Sequence, residues 1–222
     1  MISLGGSIVL SGNNLDTLVK LADLLERLSE KYKLYIVIGG GRIAREYIQL
    51  GRKLSLPEQI LDELGIDVTR INAKLFTHLL NDTANKIIPK TTDEAVEVAK
   101  PIVVMGGTTP GHSTDQVGAE LASKIKASRF IIATNVDGVY DKDPNVYSDA
   151  KLLPVIHVRE LIELYGVEWR EAGGNVIIDG PALDIIQRNR ITTMVVNGGK
   201  LEELEKAIKG LPTIHGTKIL VD

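Results

Sequence analysis

Leu34-Tyr35-Ile36-Val37-Ile38-Gly39-Gly40-Gly41-Arg42-Ile43-Ala44 is the stretch that decides the fold class. Residues 34–38 are a short, continuous apolar run without alternation, the pattern of a strand covered on both faces. Three glycines follow at once and open a helix. Strand, glycine turn, helix is the building unit of a parallel α/β sheet. The same unit recurs outward in both directions. Upstream, a first strand hardly four residues long ends in Gly5-Gly6-Ser7. Downstream, Ile102 to Met105 runs into Gly106-Gly107-Thr108-Thr109-Pro110-Gly111, with a helix expected from Asp115 to Lys126. Phe130 to Ala133 ends in Thr134-Asn135-Val136-Asp137-Gly138, and Thr192 to Val196 and Thr217 to Val221 complete the strands. Between them, Leu18, Leu21, Leu25 and Leu28 mark one helix, with turn and cap residues in Ser11-Gly12-Asn13-Asn14. Ile60, Leu64, Val68, Ile71, Leu75 and Leu79 mark a longer helix, with Gly65 as its weak point. The expectation is an α/β fold, a three-layer αβα sandwich around a mainly parallel central sheet. The polar tract Asp141 to Ala150, containing Pro144, is the best place for a hinge.

Composition narrows the function classes. The chain has 222 residues, 44% hydrophobic and 25% charged, enough to bury one sizeable core. It has no cysteine, which removes disulfides, thiolate metal sites and a cysteine nucleophile. A net charge of −3 gives no general pull towards nucleic acid or anionic membranes. No apolar run approaches the roughly 20 residues that span a bilayer, and no signal peptide is visible. A soluble, cytoplasmic protein is expected.

The glycine clusters stand just after predicted strands, where open α/β sheets bind ligands. Main-chain amides there, backed by helix N-termini, favour a phosphate. Gly39 to Ala44 also matches the dinucleotide fingerprint with alanine in the third glycine position. The expected second parallel strand with an acidic end does not follow, because the chain is helical through Leu79. No glycine-lysine-serine/threonine triplet of the P-loop occurs. Arg45 lies one turn into the helix and can reach back to a phosphate. Thr108 to Asp115 packs four hydroxyls, His112 and a carboxylate into one loop, with Thr114 as a candidate helix cap. The four histidines show no metal-ligand spacing. Thr134 to Pro144 reads as a nucleotide clasp: Tyr140 supplies a flat face, Asn135 and the aspartates supply hydrogen bonds.

On these strings the chain resembles the amino acid kinase family, in its archaeal-type uridylate kinase branch. Gly5-Gly6-Ser7, Gly39-Gly40-Gly41 with Arg45, the Gly106 to Asp115 loop and the Thr134 to Pro144 string carry the resemblance, in family order and at family-like distances. Gly173-Gly174-Asn175 ahead of Asp179 adds to it. The resemblance implies phosphoryl transfer from ATP to UMP, with Mg²⁺ carried in on ATP. It implies a single domain over 1–222, with an acceptor lobe over roughly 1–125 and an ATP lobe over roughly 126–222. Gly5, Gly6, Ser7, Gly41, Arg45, Thr134, Asn135, Tyr140 and Asp143 would bind ATP. Gly40, Asp62, Thr108, Thr109, Pro110, Gly111, His112, Ser113 and Thr114 would bind UMP, Asp62 through the ribose. Arg45 and Asp115 would act in catalysis, Asp115 by organising the cations at the transferring group. A homo-hexamer, a trimer of dimers, is also implied.

One position departs from the pattern. Many family members carry lysine two residues before the first glycine, where this chain has Ser3. Either the chain begins late, or this branch manages without that lysine, with Arg45 and Lys142 as the candidate cations. The chemistry tolerates the loss, because a phosphate acceptor with a second pKa of about 6 is already largely dianionic at pH 7 and needs no general base. Competing readings are an isopentenyl phosphate, glutamate or carbamate kinase of the same fold, and a non-catalytic nucleotide or oxyanion storage protein. A dinucleotide oxidoreductase ranks below these.

Overall fold

The computed structural model describes residues 1–9, 15–142, 144, 146–167 and 177–221. The expected cap at 11–14, Asp143, and the Gly173-Gly174-Asn175 feature therefore lie outside the described residues. The apolar runs form strands as expected: β1 (Ile2–Leu4), β2 (Leu34–Ile38), β3 (Ile102–Met105), β4 (Phe130–Thr134), β6 (Thr193–Asn197) and β7 (Thr217–Leu220). They join one seven-stranded sheet in the order β3-β2-β1-β4-β6-β7-β5. All neighbouring pairs are parallel except β6 and β7. The remaining strand, β5 (Val155–His157), was not readable in the sequence. It has three residues, and only Ile156 is buried.

Alternate residues of each strand enter opposite cores, which is why the runs look apolar throughout. Ile36, Ile38, Val104 and Ile131 pack with α2 (Leu15–Ser29), α4 (Glu58–Leu79) and α9 (Leu201–Lys209). Val37, Met105 and Ile132 pack on the other face with α6 (Thr114–Lys124), α7 (Val158–Tyr165) and α8 (Gly180–Arg188). The result is the three-layer αβα sandwich. Two shorter helices, α1 (Gly6–Val9) and α5 (Thr92–Val96), and the 13-residue α3 (Gly41–Lys53) complete the described elements.

Helix α4 runs unbroken through Gly65. A β-carbon on Gly65 would stand 3.4 Å from Ile48 Cδ1, and one on Gly51 only 2.4 Å from Leu61 Cδ2. The two glycines let α3 and α4 pack closely, and that packing outweighs the roughly 1 kcal/mol cost of a helical glycine.

The described residues flanking the polar tract 141–150 are tied together. Tyr140 bridges Leu152 in antiparallel sense, Leu153 N–H donates to Val139 O at 2.8 Å, and Asp141 N–H donates to Lys151 O at 3.1 Å. Asp137-Gly138 therefore precedes a hairpin-like pairing.

Strand order reverses at β1, with β2 on one side and β4 on the other. The loops after β1, β2, β3, β4 and β6 converge beyond that reversal. This is where an open α/β sheet presents its binding crevice.

Candidate active site

The first two glycine loops are fitted to each other, backbone against backbone. A β-carbon on Gly6 would lie 2.3 Å from both Gly39 O and Gly41 N, and one on Gly39 would lie 2.9 Å from Gly6 N. Gly40 has φ −78° and ψ −27°, and Gly41 has φ +64°. Right-handed followed by left-handed backbone turns successive N–H groups into one concavity, a nest that suits an anion. Gly40 also caps α3 without any side-chain hydrogen bond, so the helix's first amides stay open. Gly5 N–H donates to Ala133 O at 2.8 Å, which places Ser7 and Thr134 at neighbouring strand ends.

The third loop joins through α4. Gly107 N–H donates to Thr69 Oγ1 at 2.7 Å, and Gly111 N–H donates to Asp62 Oδ2 at 2.6 Å. Asp62 thus stands against the Thr108 to Thr114 loop. Ser113, not Thr114, caps α6, accepting from Gln116 N–H at 2.9 Å. Thr114 Oγ1 instead points to the glycine platform, 3.5 Å from where a Gly39 β-carbon would sit. His112 Nδ1 is enclosed, makes no hydrogen bond and lies 3.4 Å from Glu120 Oε1, a contact that becomes an ion pair only on protonation.

Beneath these loops lies a pair of carboxyl groups. Ser3 Oγ donates to Asp115 Oδ1 at 2.6 Å. Ser113 Oγ donates to Asp179 Oδ2, and Asp179 caps α8 by accepting from Ala182 N–H at 3.0 Å. Asp115 keeps part of its surface towards the cleft, but protein encloses its carboxyl group. Burial first, then the negative charge of Asp179, push its pKa up to about 7, against the lowering effect of the Ser3 hydrogen bond. Burial raises Asp179 too, opposed by its bonds to Ser113 and Ala182. Ser3, at the position where many family members carry lysine, thus reaches Asp115 without bringing a charge.

A stability prediction follows from the raised Asp115 pKa. The folded state binds a proton that the unfolded chain, with a carboxyl pKa near 3.8, releases. The stabilisation is complete below that unfolded value and is lost as pH rises through about 7. Asp115→Asn removes this loss. Its stability relative to wild type should improve by on the order of 2 kcal/mol between pH 4.5 and 7.5, after allowing for water reaching the cleft. Urea unfolding at the two pH values measures it, and an unchanged difference would refute it.

The fourth loop is held by groups the sequence reading passed over. Asp137 accepts from Lys200 Nζ at 2.8 Å and from Asn197 Nδ2 at 3.1 Å, and these bonds, despite some burial, hold its pKa below the usual carboxylate range. Gly198 N–H donates to Thr134 O at 2.8 Å. Thr134 Oγ1 and Asn135 Oδ1 lie together at the β4 tip, 3.3 Å apart. Tyr140 stands further along, at the hairpin pairing with Leu152. The two candidate cations separate clearly. Lys142 Nζ is bound to Asp149 at 2.6 Å and sits 5.4 Å from the Tyr147 ring centre, within the polar tract 141–150. Arg45 is exposed on α3 beside the glycine platform and makes no hydrogen bond or ion pair among the described residues.

The description "Amino acid kinase family" matches residues 1–197. The chain belongs to the amino acid kinase family. Among the proteins similar to this amino acid kinase, the uridylate kinase of Methanothermobacter thermautotrophicus is 45% identical, over 95% of each chain. That of Methanobrevibacter smithii is 41% identical, over 99% of this chain and 98% of its own. The crystal structure of uridylate kinase from Archaeoglobus fulgidus superposes with a TM-score of 0.86 at 40% identity, covering 98% of both chains.

Proposed function

We propose that this chain transfers the γ-phosphoryl group of ATP to UMP, yielding UDP for pyrimidine nucleotide (UTP and CTP) synthesis. The observation that carries the reading is end-to-end similarity to uridylate kinases, at 41–45% identity in the relatives named above. The strand-tip geometry supports it. The fused Gly5-Gly6-Ser7 and Gly39-Gly40-Gly41 platform offers main-chain amides to two phosphate groups. Gly6, Ser7, Gly41 and Arg45 would hold the ATP phosphates. Thr134, Asn135 and Tyr140 would hold its base and ribose together with Asp143, which lies outside the described residues. Gly40, Asp62 and the Thr108 to Thr114 loop would hold UMP. The two anions would then meet beside Arg45, above Asp115.

The reaction asks little covalent chemistry of the protein. The UMP phosphate is its own nucleophile, so the chain must align two polyanions and offset their repulsion. Uncharged amides do the first, and Arg45 contributes to the second. Hydroxyls and carboxylates line the tips, and hard oxygen donors of this kind suit Mg²⁺ through its water ligands. Bound with ATP, Mg²⁺ would supply neutralisation of phosphate charge during the transfer.

Acceptor-dependent ADP release across UMP, CMP, AMP, GMP and isopentenyl phosphate, with UDP identified as the product from UMP, tests the proposal. UMP should be the preferred acceptor, and turnover of another acceptor in preference to it would overturn the reading. Asp62 offers a sharper check. Asp62→Ala should weaken UMP about 10-fold more than dUMP if its carboxylate grips the 2′-hydroxyl. Equal losses in KM would assign Asp62 to holding Gly111 alone.

Assembly is part of the proposal. Tyr47, Leu50 and Leu54 on and just after α3, with Ile71 and Leu75 on α4, are exposed apolar residues at helical spacings. Exposed apolar surface of this extent suits an interface between copies, here in a homo-hexamer built as a trimer of dimers. Light scattering gives the assembly mass. No helix among the described residues is long and apolar enough to cross a membrane. A cytoplasmic enzyme acting on ATP and UMP, without nucleic acid or membrane partners, fits the reading.

A further inference from the structure

Helix α4 does more than carry Asp62. Asn72, 2% exposed, donates through Nδ2 to Gly39 O at 2.9 Å and to Gly40 O at 3.3 Å. Two residues earlier in α4, Arg70 donates through Nε to Gly107 O at 3.2 Å and through its terminal nitrogen to Thr108 O at 3.1 Å. Two neighbouring side chains therefore draw four carbonyls from two different loops onto one helix.

The consequence follows from peptide geometry. The described chain has no cis peptide bond. In a trans peptide plane the carbonyl of one residue and the N–H of the next point in opposite directions. Pulling the carbonyls of Gly39, Gly40, Gly107 and Thr108 towards α4 thus aims the amides of Gly40, Gly41, Thr108 and Thr109 away from it. Those four amides donate to no protein acceptor among the described residues. Gly40, Gly41 and Thr108 are half-buried and Thr109 is exposed, so these unpartnered amides stay open to solvent and to an incoming anion.

We propose that Arg70 and Asn72 are positioning residues of the phosphate seat, anchoring the carbonyls behind these amides: Arg70 aims Thr108 and Thr109 N–H towards UMP, and Asn72 aims Gly40 N–H towards the UMP phosphate and Gly41 N–H towards the adjoining ATP phosphate. Neither side chain touches the reacting atoms, and neither belongs to a glycine motif. Their donor chemistry is specific to the task. A guanidinium fork reaches two carbonyls at once, and a lysine reaches only one well. A carboxamide donates where an isosteric carboxylate would repel.

The inference rests on the UMP-phosphorylating reading, and initial-rate kinetics with calorimetric UMP binding separate the two. Arg70→Met keeps most of the packing stem and loses both donors. It should raise the UMP KM and dissociation constant about 10- to 50-fold, with kcat changed less than about 3-fold and the ATP KM unchanged. Arg70→Lys should recover part of the loss. Asn72→Asp should be worse than Asn72→Ala for UMP binding, although both remove the same bonds, because only the former places an acceptor against carbonyls. A merely structural role would lower melting temperature and depress the ATP and UMP parameters together. UMP binding by Arg70→Met within 2-fold of wild type, or equal losses for ATP and UMP, would overturn the inference while wild-type UDP formation leaves the functional reading standing. Wild-type protein that neither binds UMP nor makes UDP would remove both.

Discussion

Arg45→Ala should lower kcat by about 10²- to 10³-fold while the UMP KM changes only a few-fold, the loss expected when a group stabilising transition-state charge is removed. Three observations lead there. The family's lysine position holds Ser3, which is spent on Asp115. Lys142 is engaged by Asp149. Arg45 stands one turn into α3, on a helix whose first amides no side chain caps. Its neighbour Arg42 is paired with Glu46 at 2.6 Å, whereas Arg45 has no such partner among the described residues. The expected split has a physical cause: UMP is gripped mainly by amides and hydroxyls of other loops, so ground-state binding survives. Lysine at position 45 should restore part of the rate, since a point charge replaces a fork. Steady-state kinetics on the three proteins decide the matter, and wild-type kcat in Arg45→Ala would remove it from the mechanism.

Gly6→Ala should abolish most activity while leaving the fold recognisable. The added methyl would fall 2.3 Å from Gly39 O and Gly41 N and 2.6 Å from Gly40 C. These are main-chain atoms, so no side chain can swing aside. The two loops must part by roughly 1 Å, a misplacement that costs on the order of 10²-fold in an aligned reaction. Overpacking of this kind destabilises by about 1–3 kcal/mol, and the unaltered cores on both faces of the sheet can absorb that. Circular dichroism should therefore show a folded protein with a melting point lowered by several degrees, and kcat/KM should fall about 100-fold or more. Near-wild-type kcat/KM would mean that the platform yields, and that its fit does not set the reaction geometry.

Much of the architecture was legible because its signals are local. A strand buried on both faces must be apolar at every position, so β2 and β3 appear in the sequence at their full extents. A glycine run directly after such a strand marks a tip where backbone approaches backbone or a ligand. β5 escaped because three residues with one buried side chain have no period to detect. The hairpin-like pairing at Tyr140 escaped because polar residues 141–150 hide the return of the chain. Ser3 was noticed only as a missing lysine, although it contacts a carboxylate 112 positions away. Arg70 and Asn72 lay within a helix already explained by its apolar face, and nothing in their spacing announced which loops they would meet.

By itself, then, the order of residues determined an αβα sandwich with glycine tips suited to phosphates, since hydrophobic period and chain flexibility act over a few residues. Only the folded molecule decided which tips touch, which cation stays unpaired and how α4 turns their amides. Those outcomes depend on contacts between segments dozens of residues apart, whose burial and charge no local pattern encodes.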